Sequence, residues 1–314
     1  MTIISIKRMG GGLNNQKMML LALLITAIET NSEIKLPYLI NYVTNKKDNT
    51  FKKYIYRKLI YPLFDRYVPF FKIFDKSLFV LLLEKYKIKI SSKTSNIKYS
   101  NEKMFEKGSA IIDEFLKKNN HQHKHFIMDF FKHLQPSSYM KNKIDFFTDQ
   151  SLPFDAICQL RIEDDWPLNV DSNWSEKDDQ KKLPSQVMRS IDIFNKIYNT
   201  LPNLKNIYVT YDKNGLKTPF SLISDTIKDK FGYTLKAKHL SKNKNLNPKN
   251  ALEASVIDFE MSVQTDIYIG TEMSSFTILS NLTKECRELN FPVHRYFYGT
   301  KEDRLSIYIR NIGY

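Results

Sequence analysis

The stretch Asp266-Ile-Tyr-Ile-Gly-Thr-Glu-Met-Ser-Ser-Phe-Thr277 decides the fold. Its first half alternates apolar residues in the manner of a short buried strand. It breaks at Gly270 and resumes as a helix whose opening turn holds Ser274, Ser275 and Thr277 ahead of Ile278, Leu279 and Leu282. A strand that feeds a hydroxyl-rich helix start is a seat for phosphate. The first N–H groups of a helix lack partners within it, the helix dipole places partial positive charge there, and small side chains let an anion come close. The bland alternative is that Ser274 only caps the helix.

Working outward, residues 154–162 form a second apolar run, Phe154 to Ile162, that delivers Arg161 and then the acidic cluster Glu163, Asp164 and Asp165. Ligands of open α/β sheets lie beyond the carboxyl ends of the strands, where Arg161 falls. A guanidinium there can fork onto a diphosphate and stay charged as a leaving group gains negative charge. The structural alternative pairs Arg161 with Glu163 or Asp165. Residues 206–212 give another strand ending in an acid, Asp212, which suits a turn better than a ligand. Helices are predicted over 183–198, with Pro184 in the first turn, over 222–231 and over 252–263, and lysine-rich 236–249 reads as a loop. Strand and helix thus alternate from 154 to 285, the pattern of a parallel, Rossmann-type sheet.

At the other end, residues 3–8 predict a strand and 17–30 a helix, joined by Met9-Gly-Gly-Gly-Leu-Asn-Asn-Gln16. Three of the nine glycines sit together in that turn, which lets backbone approach a ligand and tolerates positive φ. It matches neither a dinucleotide fingerprint nor a Walker loop, and a tight turn with no ligand is the rival reading. Residues 55–64, 77–87, 108–118 and 125–133 read as helices and 91–101 as a flexible surface loop. His121, His123 and His125 alternate in a polar context without acidic or cysteine neighbours, which argues against a metal site. Residues 304–312 are expected to return to the first half as a strap.

The composition sets the bounds. A chain of 314 residues, 42% hydrophobic and 13% aromatic, is globular and long enough for two domains. The formal charge of +14, mostly lysine, suits nucleotides, phospholipids or nucleic acid. No basic-aromatic stripe singles out nucleic acid, so no specific nucleic-acid partner is expected, while the basic loops suit peripheral contact with an anionic membrane. Cys158 and Cys286 stand far apart in apolar or helical surroundings and indicate neither a disulfide framework nor zinc. The N-terminus leads directly into a strand and the apolar run at 18–28 is too short to span a bilayer, so a cytoplasmic protein is expected.

Taken together, Gly11-Gly12-Leu13-Asn14-Asn15-Gln16, Leu160-Arg161 with Asp165-Trp166, the stretch from Asp266 through Gly270 to Thr277, Lys284-Glu285-Cys286-Arg287 and Phe297-Tyr298-Gly299 resemble the GDP-fucose protein O-fucosyltransferase family and related fucosyltransferases. The segment from His133 to Ser137 also resembles that family, and the motifs span nearly the whole chain in order.

The resemblance implies a GT-B architecture, two Rossmann-like domains facing across a cleft, here 1–150 on the acceptor side and 151–299 for the nucleotide sugar, with 300–314 returning to the first. It also implies inversion at the sugar carbon, GDP-fucose as the donor, a glycan or protein hydroxyl as acceptor, and no metal or other cofactor. Arg161 would bind the β-phosphate, and Ser274, Ser275 and Phe276 would hold the diphosphate. Asp266 would lie near the nucleoside, Asn14 in the glycine turn would reach the sugar and phosphates from the other domain, and Gly11, Gly12, Asn15, Gln159 and Gly270 would belong to the same donor site.

One departure concerns the ribose or base contact: Gln159 stands where the family usually has histidine. Glu163, Asp164 and Asp165 are candidate general bases, Asp165 alternatively structural. Two rivals are a GT-B transferase using another nucleotide sugar and a non-catalytic glycan- or nucleic-acid-binding relative.

Overall fold

The computed structural model describes residues 2–41, 66–93, 95–100, 103–117, 122–162, 184–213, 215–272, 274–288, 294–299 and 301–308. The predicted helix at 55–64 and the acids Glu163, Asp164 and Asp165 lie outside them.

The first half opens with β1 (Ile3–Ile6), every residue of which is buried, and α1 (Leu13–Thr30). Helix α1 is apolar nearly all round, so it is a core element rather than an amphipathic cover. It stops at Asn31, whose left-handed backbone (φ 47°) turns its N–H back to the carbonyls of Ala27 and Ile28. Strands β2 (Glu33–Ile34), β3 (Leu39–Ile40) and β4 (Tyr67–Val68) follow, then α2 (Phe70–Ile73), α3 (Lys76–Lys85), β5 (Ile97–Ser100), α4 (Met104–Lys117), α5 (Lys124–His133) and α6 (Ser138–Ser151). One parallel sheet has the order β2-β1-β5, and a small antiparallel pair joins β3 to β4.

The expected flexible loop at 91–101 is corrected here: residues 97–100 form β5, in register with β1 from Ile3 opposite Ile97 to Ile6 opposite Ser100. Strand β5 is a half-exposed edge, so its Lys98, Tyr99 and Ser100 carry little of the apolar alternation that marks a buried strand.

The second half runs β6 (Ala156–Gln159), α7 (Ser185–Thr200), β7 (Asn206–Thr210), α8 (Phe220–Phe231), β8 (Thr234–Lys236), α9 (Ala251–Gln264), β9 (Tyr268–Gly270), α10 (Ser275–Arg287), β10 (Arg295–Phe297) and β11 (Ser306–Ile307). These strands form one sheet in the order β11-β10-β9-β6-β7-β8, parallel except for β11. Pro184 precedes α7 as its cap rather than entering the first turn.

The expected strap to the first half is corrected for residues 306–307: Ser306 and Ile307 pair antiparallel with Phe297 and Tyr296 on this sheet.

Strand β6 shows why the sheet is buried on both faces. Ile157 points into a large core shared with α1, α5, α6, α9 and α10, whereas Ala156 and Cys158 point into a second core under α7 and α8. Burial pushes the Cys158 thiol up to about 12, so it is an inert core residue. Among the described residues no helix is long and apolar enough to cross a membrane.

Candidate active site

Both parallel sheets have a switch point. From β1 the chain moves to β2 on one side and later places β5 on the other; from β6 it proceeds through β7 to β8, then returns to lay β9 on β6's free side. Neighbouring strands at such a point send their connections to opposite faces and leave a crevice at their carboxyl ends. The glycine turn follows β1, Arg161 lies two residues beyond β6, and Ser274 lies four beyond β9. All three converge on one cavity of about 630 Å³, walled by Gly12, Asn14, Asn15, Arg161, Ser274, Ser275 and Phe276. Gln159 lines it as well.

Gln159 ends β6 and is the hub of a dry network. Its Nε2 donates to Ser274 Oγ at 3.2 Å. Its Oε1 accepts from Thr277 Oγ1 at 2.7 Å and from the Tyr268 hydroxyl at 3.4 Å. Thr277 Oγ1 in turn accepts the Thr271 N–H at 3.2 Å. Burial raises the Tyr268 pKa, which keeps its phenol neutral and able to donate. Gln159 therefore fastens the end of one strand to the helix start beyond its neighbour.

Ser274 precedes α10 with no side-chain cap bond, so the capping alternative fails and its hydroxyl is engaged by Gln159 instead. Gly270 does not line the cavity; a Cβ there would collide with the Thr277 hydroxyl and approach the Tyr268 hydroxyl at 2.9 Å, so glycine is required for the turn to close.

Arg161 is held from behind. The Tyr298 hydroxyl donates to the Gln159 carbonyl at 3.0 Å and accepts the Arg161 N–H at 3.1 Å. Arg189 Nη1 donates to the Ile162 carbonyl at 3.1 Å. The motif Phe297-Tyr298-Gly299 thus has a physical role that the sequence did not disclose.

On the other wall the helix begins at Leu13, earlier than predicted, so Asn14 and Asn15 occupy its first turn rather than the glycine loop. Gly11 has φ 69°, and a Cβ there would meet Asn15 Nδ2 at 2.5 Å, so the turn demands glycine on both counts. Gln16 clamps the turn, donating to the Gly11 and Ile40 carbonyls at 3.1 and 2.8 Å and accepting the Ile40 N–H. The two halves touch where Ser275 Oγ donates to Asn15 Oδ1 at 3.4 Å. Asn14 is buried, and its Oδ1 has no hydrogen-bond partner among the described residues. A buried amide oxygen on the wall of a cavity is a ready acceptor for a ligand donor.

Asp266 is not part of this assembly. It lies before β9, and in a parallel sheet a strand's start is at the far end from the crevice. Its side chain is 83% exposed and stands 3.9 Å from Lys284. One acid that the structure does supply nearby is Asp258 on α9. It lines an adjoining cavity of about 400 Å³ that shares Arg161 and Phe276 with the first, and it pairs with Lys238 at 2.9 Å. No strand-end signal marks Asp258, because a helix flank rather than a strand carries it. Of the histidines, His123 pairs with Glu29 at 3.1 Å.

No sequence-family description matches the chain. No curated protein matches it in sequence. Solved structures do match in shape. The POFUT1 complex with GDP-fucose superposes with a TM-score of 0.53 at 13% identity, covering 95% of this chain and 99% of that one. NodZ, an alpha-1,6-fucosyltransferase soaked with GDP-fucose, gives 0.48 at 12% identity over 98% and 99%. An Arabidopsis thaliana FUT1 variant bound to GDP gives 0.41 at 9% identity over 94% and 70%. The chain thus has the mixed α/β fold of POFUT1, the GT-B class that its motifs implied.

Proposed function

We propose that this protein is a glycosyltransferase that moves fucose from GDP-fucose to a hydroxyl acceptor, with inversion and without a metal ion. One observation carries the reading: Arg161, the α10 start at Ser274, Ser275 and Phe276, and the buried amide of Asn14 line a single cavity at the switch points of two parallel sheets.

The donor's diphosphate sits against the Ser275 and Phe276 amides, where the helix dipole favours negative charge. Arg161 forks onto the β-phosphate and stabilises the charge that accumulates as the sugar–oxygen bond breaks. Positive charge from these groups does the work a divalent cation does in other transferases. The nucleoside lies in the adjoining cavity, where the Asp258 carboxylate is placed to accept N–H groups from a guanine edge. Asn14 bonds a sugar hydroxyl. Residues 1–150 and 151–299 act as two Rossmann-like halves enclosing the donor.

The test is a thermal-shift titration with GDP, UDP and GDP-fucose, followed by an assay of GDP release. Saturating GDP at about 100 times its Kd should stabilise the protein by about 2.7 kcal/mol. Stabilisation by UDP with none by GDP would sink the fucose assignment.

A further inference from the structure

The cavity has one wall to which the donor reading gives no task. Helix α4 contributes Phe105, Ser109 and Asp113 to it, at successive intervals of four residues. That spacing puts the three on one helix face, roughly 12 Å from first to last. Phe105 is 37% exposed, a large aromatic face left to solvent. Asp113 is exposed, and it makes no hydrogen bond or ion pair with any described residue. It is also the one carboxylate on this cavity among the described residues. The face is rigidly placed. Gly108 packs on the backbone of Met18, where a Cβ would collide with the Met18 carbonyl, so α4 is pressed onto α1 beside Asn14 and Asn15.

We propose that this face is the acceptor subsite, that the acceptor is a carbohydrate, and that Asp113 is the general base. The inference rests on the donor assignment above for its geometry. An aromatic ring, a hydroxyl and a carboxylate in line match a sugar: the ring stacks on the apolar C–H face of a pyranose, and the polar pair bonds its hydroxyls. A peptide in extended form would instead seek an open strand edge, and among the described residues that line the cavity none belongs to the edge strand β5.

Inversion requires the nucleophile to approach from the side away from the departing diphosphate, and α4 is the wall without diphosphate donors. In the step, the acceptor oxygen forms the new bond to the anomeric carbon. The bond from that carbon to the β-phosphate oxygen breaks with its electron pair remaining on GDP. The acceptor's hydroxyl proton passes to Asp113 and then to water.

Saturation-transfer NMR with N-acetylglucosamine, galactose, mannose and glucose oligosaccharides, and with a Ser/Thr peptide as comparison, tests the subsite. At least one sugar should give a signal that Phe105→Ala removes. With that sugar as acceptor, Asp113→Asn should lower GDP-fucose turnover about 100-fold, leave GDP affinity within about twofold and regain part of the rate in Asp113→Glu. No Phe105-dependent sugar signal, a peptide signal at the same face, or Asp113→Asn turnover within about threefold of wild type would overturn the proposal. Loss of GDP affinity in Asp113→Asn would place the carboxylate in the donor seat and overturn it as well. Sugar binding in a protein that ignores GDP would instead refute the donor assignment and leave the subsite standing.

Discussion

Replacing Thr277 by valine keeps the shape of the side chain and removes only its hydroxyl, so it isolates the network that carries the helix start. Thr277 is fully buried. The hydroxyl donates to Gln159 Oε1 at 2.7 Å and accepts the Thr271 N–H at 3.2 Å. In the valine variant Gln159 Oε1 keeps the Tyr268 hydroxyl at 3.4 Å, a weak substitute. The Thr271 N–H loses this acceptor, and a buried orphan donor costs about 1–3 kcal/mol. Adding about 1 kcal/mol for the bond to Gln159 gives an expected loss of about 2–4 kcal/mol.

Chemical denaturation should therefore show a lower midpoint at unchanged slope, with Thr277→Ser losing distinctly less because it keeps both bonds. GDP affinity should fall in the valine variant, since Ser274 and the α10 start are aligned through Gln159. Wild-type stability together with wild-type GDP affinity in Thr277→Val would refute the claim that this network is desolvated and positions the seat.

Arg161→Ala should lower turnover by about 10²–10³ with the melting temperature nearly unchanged, read by GDP release and calorimetry. Tyr298→Phe removes the donor to the Gln159 carbonyl and the acceptor of the Arg161 N–H; turnover should drop by about tenfold with the fold retained. Gly108→Ala forces a methyl into the Met18 carbonyl and should cost about 1–3 kcal/mol by denaturant unfolding.

Lys17, 3.2 Å from the Phe259 ring centroid, is pulled by burial from 10.5 to about 7, with nearby Glu260 raising it and Arg287 lowering it. Because the folded value lies below the unfolded one, the unfolded chain holds an extra proton between about pH 7 and 10.5, and stability rises with pH across that window. Lys17→Met should thus stabilise most below pH 7, by up to about 4–5 kcal/mol, and its advantage should fade toward pH 10.5. A pH-independent difference would contradict the buried, neutralisable lysine.

The strands β6, β7 and β9 at the centre of the second half were legible because they are apolar runs punctuated by chemically distinct ends, whereas the short β8, β10 and β11 drew no strand reading. Arg161, Ser274 and Gly270 each mark where a strand stops, and strand ends are where a doubly wound sheet collects ligands. The edge strand β5 and the short β2 were not, since half-exposed edges dilute the period-two signal. Asp266 misled for a related reason. Nearness in sequence to a strand-end site says nothing about which end of the strand a residue occupies, and its place before β9 puts it across the sheet from the crevice. Asp258 and Asp113 escaped notice because each reaches its cavity from a helix flank, and Tyr298, though its motif was marked, gave no sign of its contact with the Gln159 carbonyl and the Arg161 N–H. Only tertiary packing brings them near Arg161.

Gln159 shows how such a site is kept ready. A serine before a helix ordinarily turns its oxygen onto the first-turn amides and occupies one of them. Here the Gln159 amide draws Ser274 Oγ the other way, while Thr277, inside the same helix, holds Gln159 in place. The helix start is thus oriented without its own serine covering it, and its partial positive charge remains directed at the cavity that Arg161 also faces. The energy of arranging these dipoles is met during folding, by burial of the network, and not when a diphosphate arrives. Placing glutamine at the end of β6 is therefore consistent with a working anion seat, because an amide can donate to Ser274 and accept from Thr277 and Tyr268 at once.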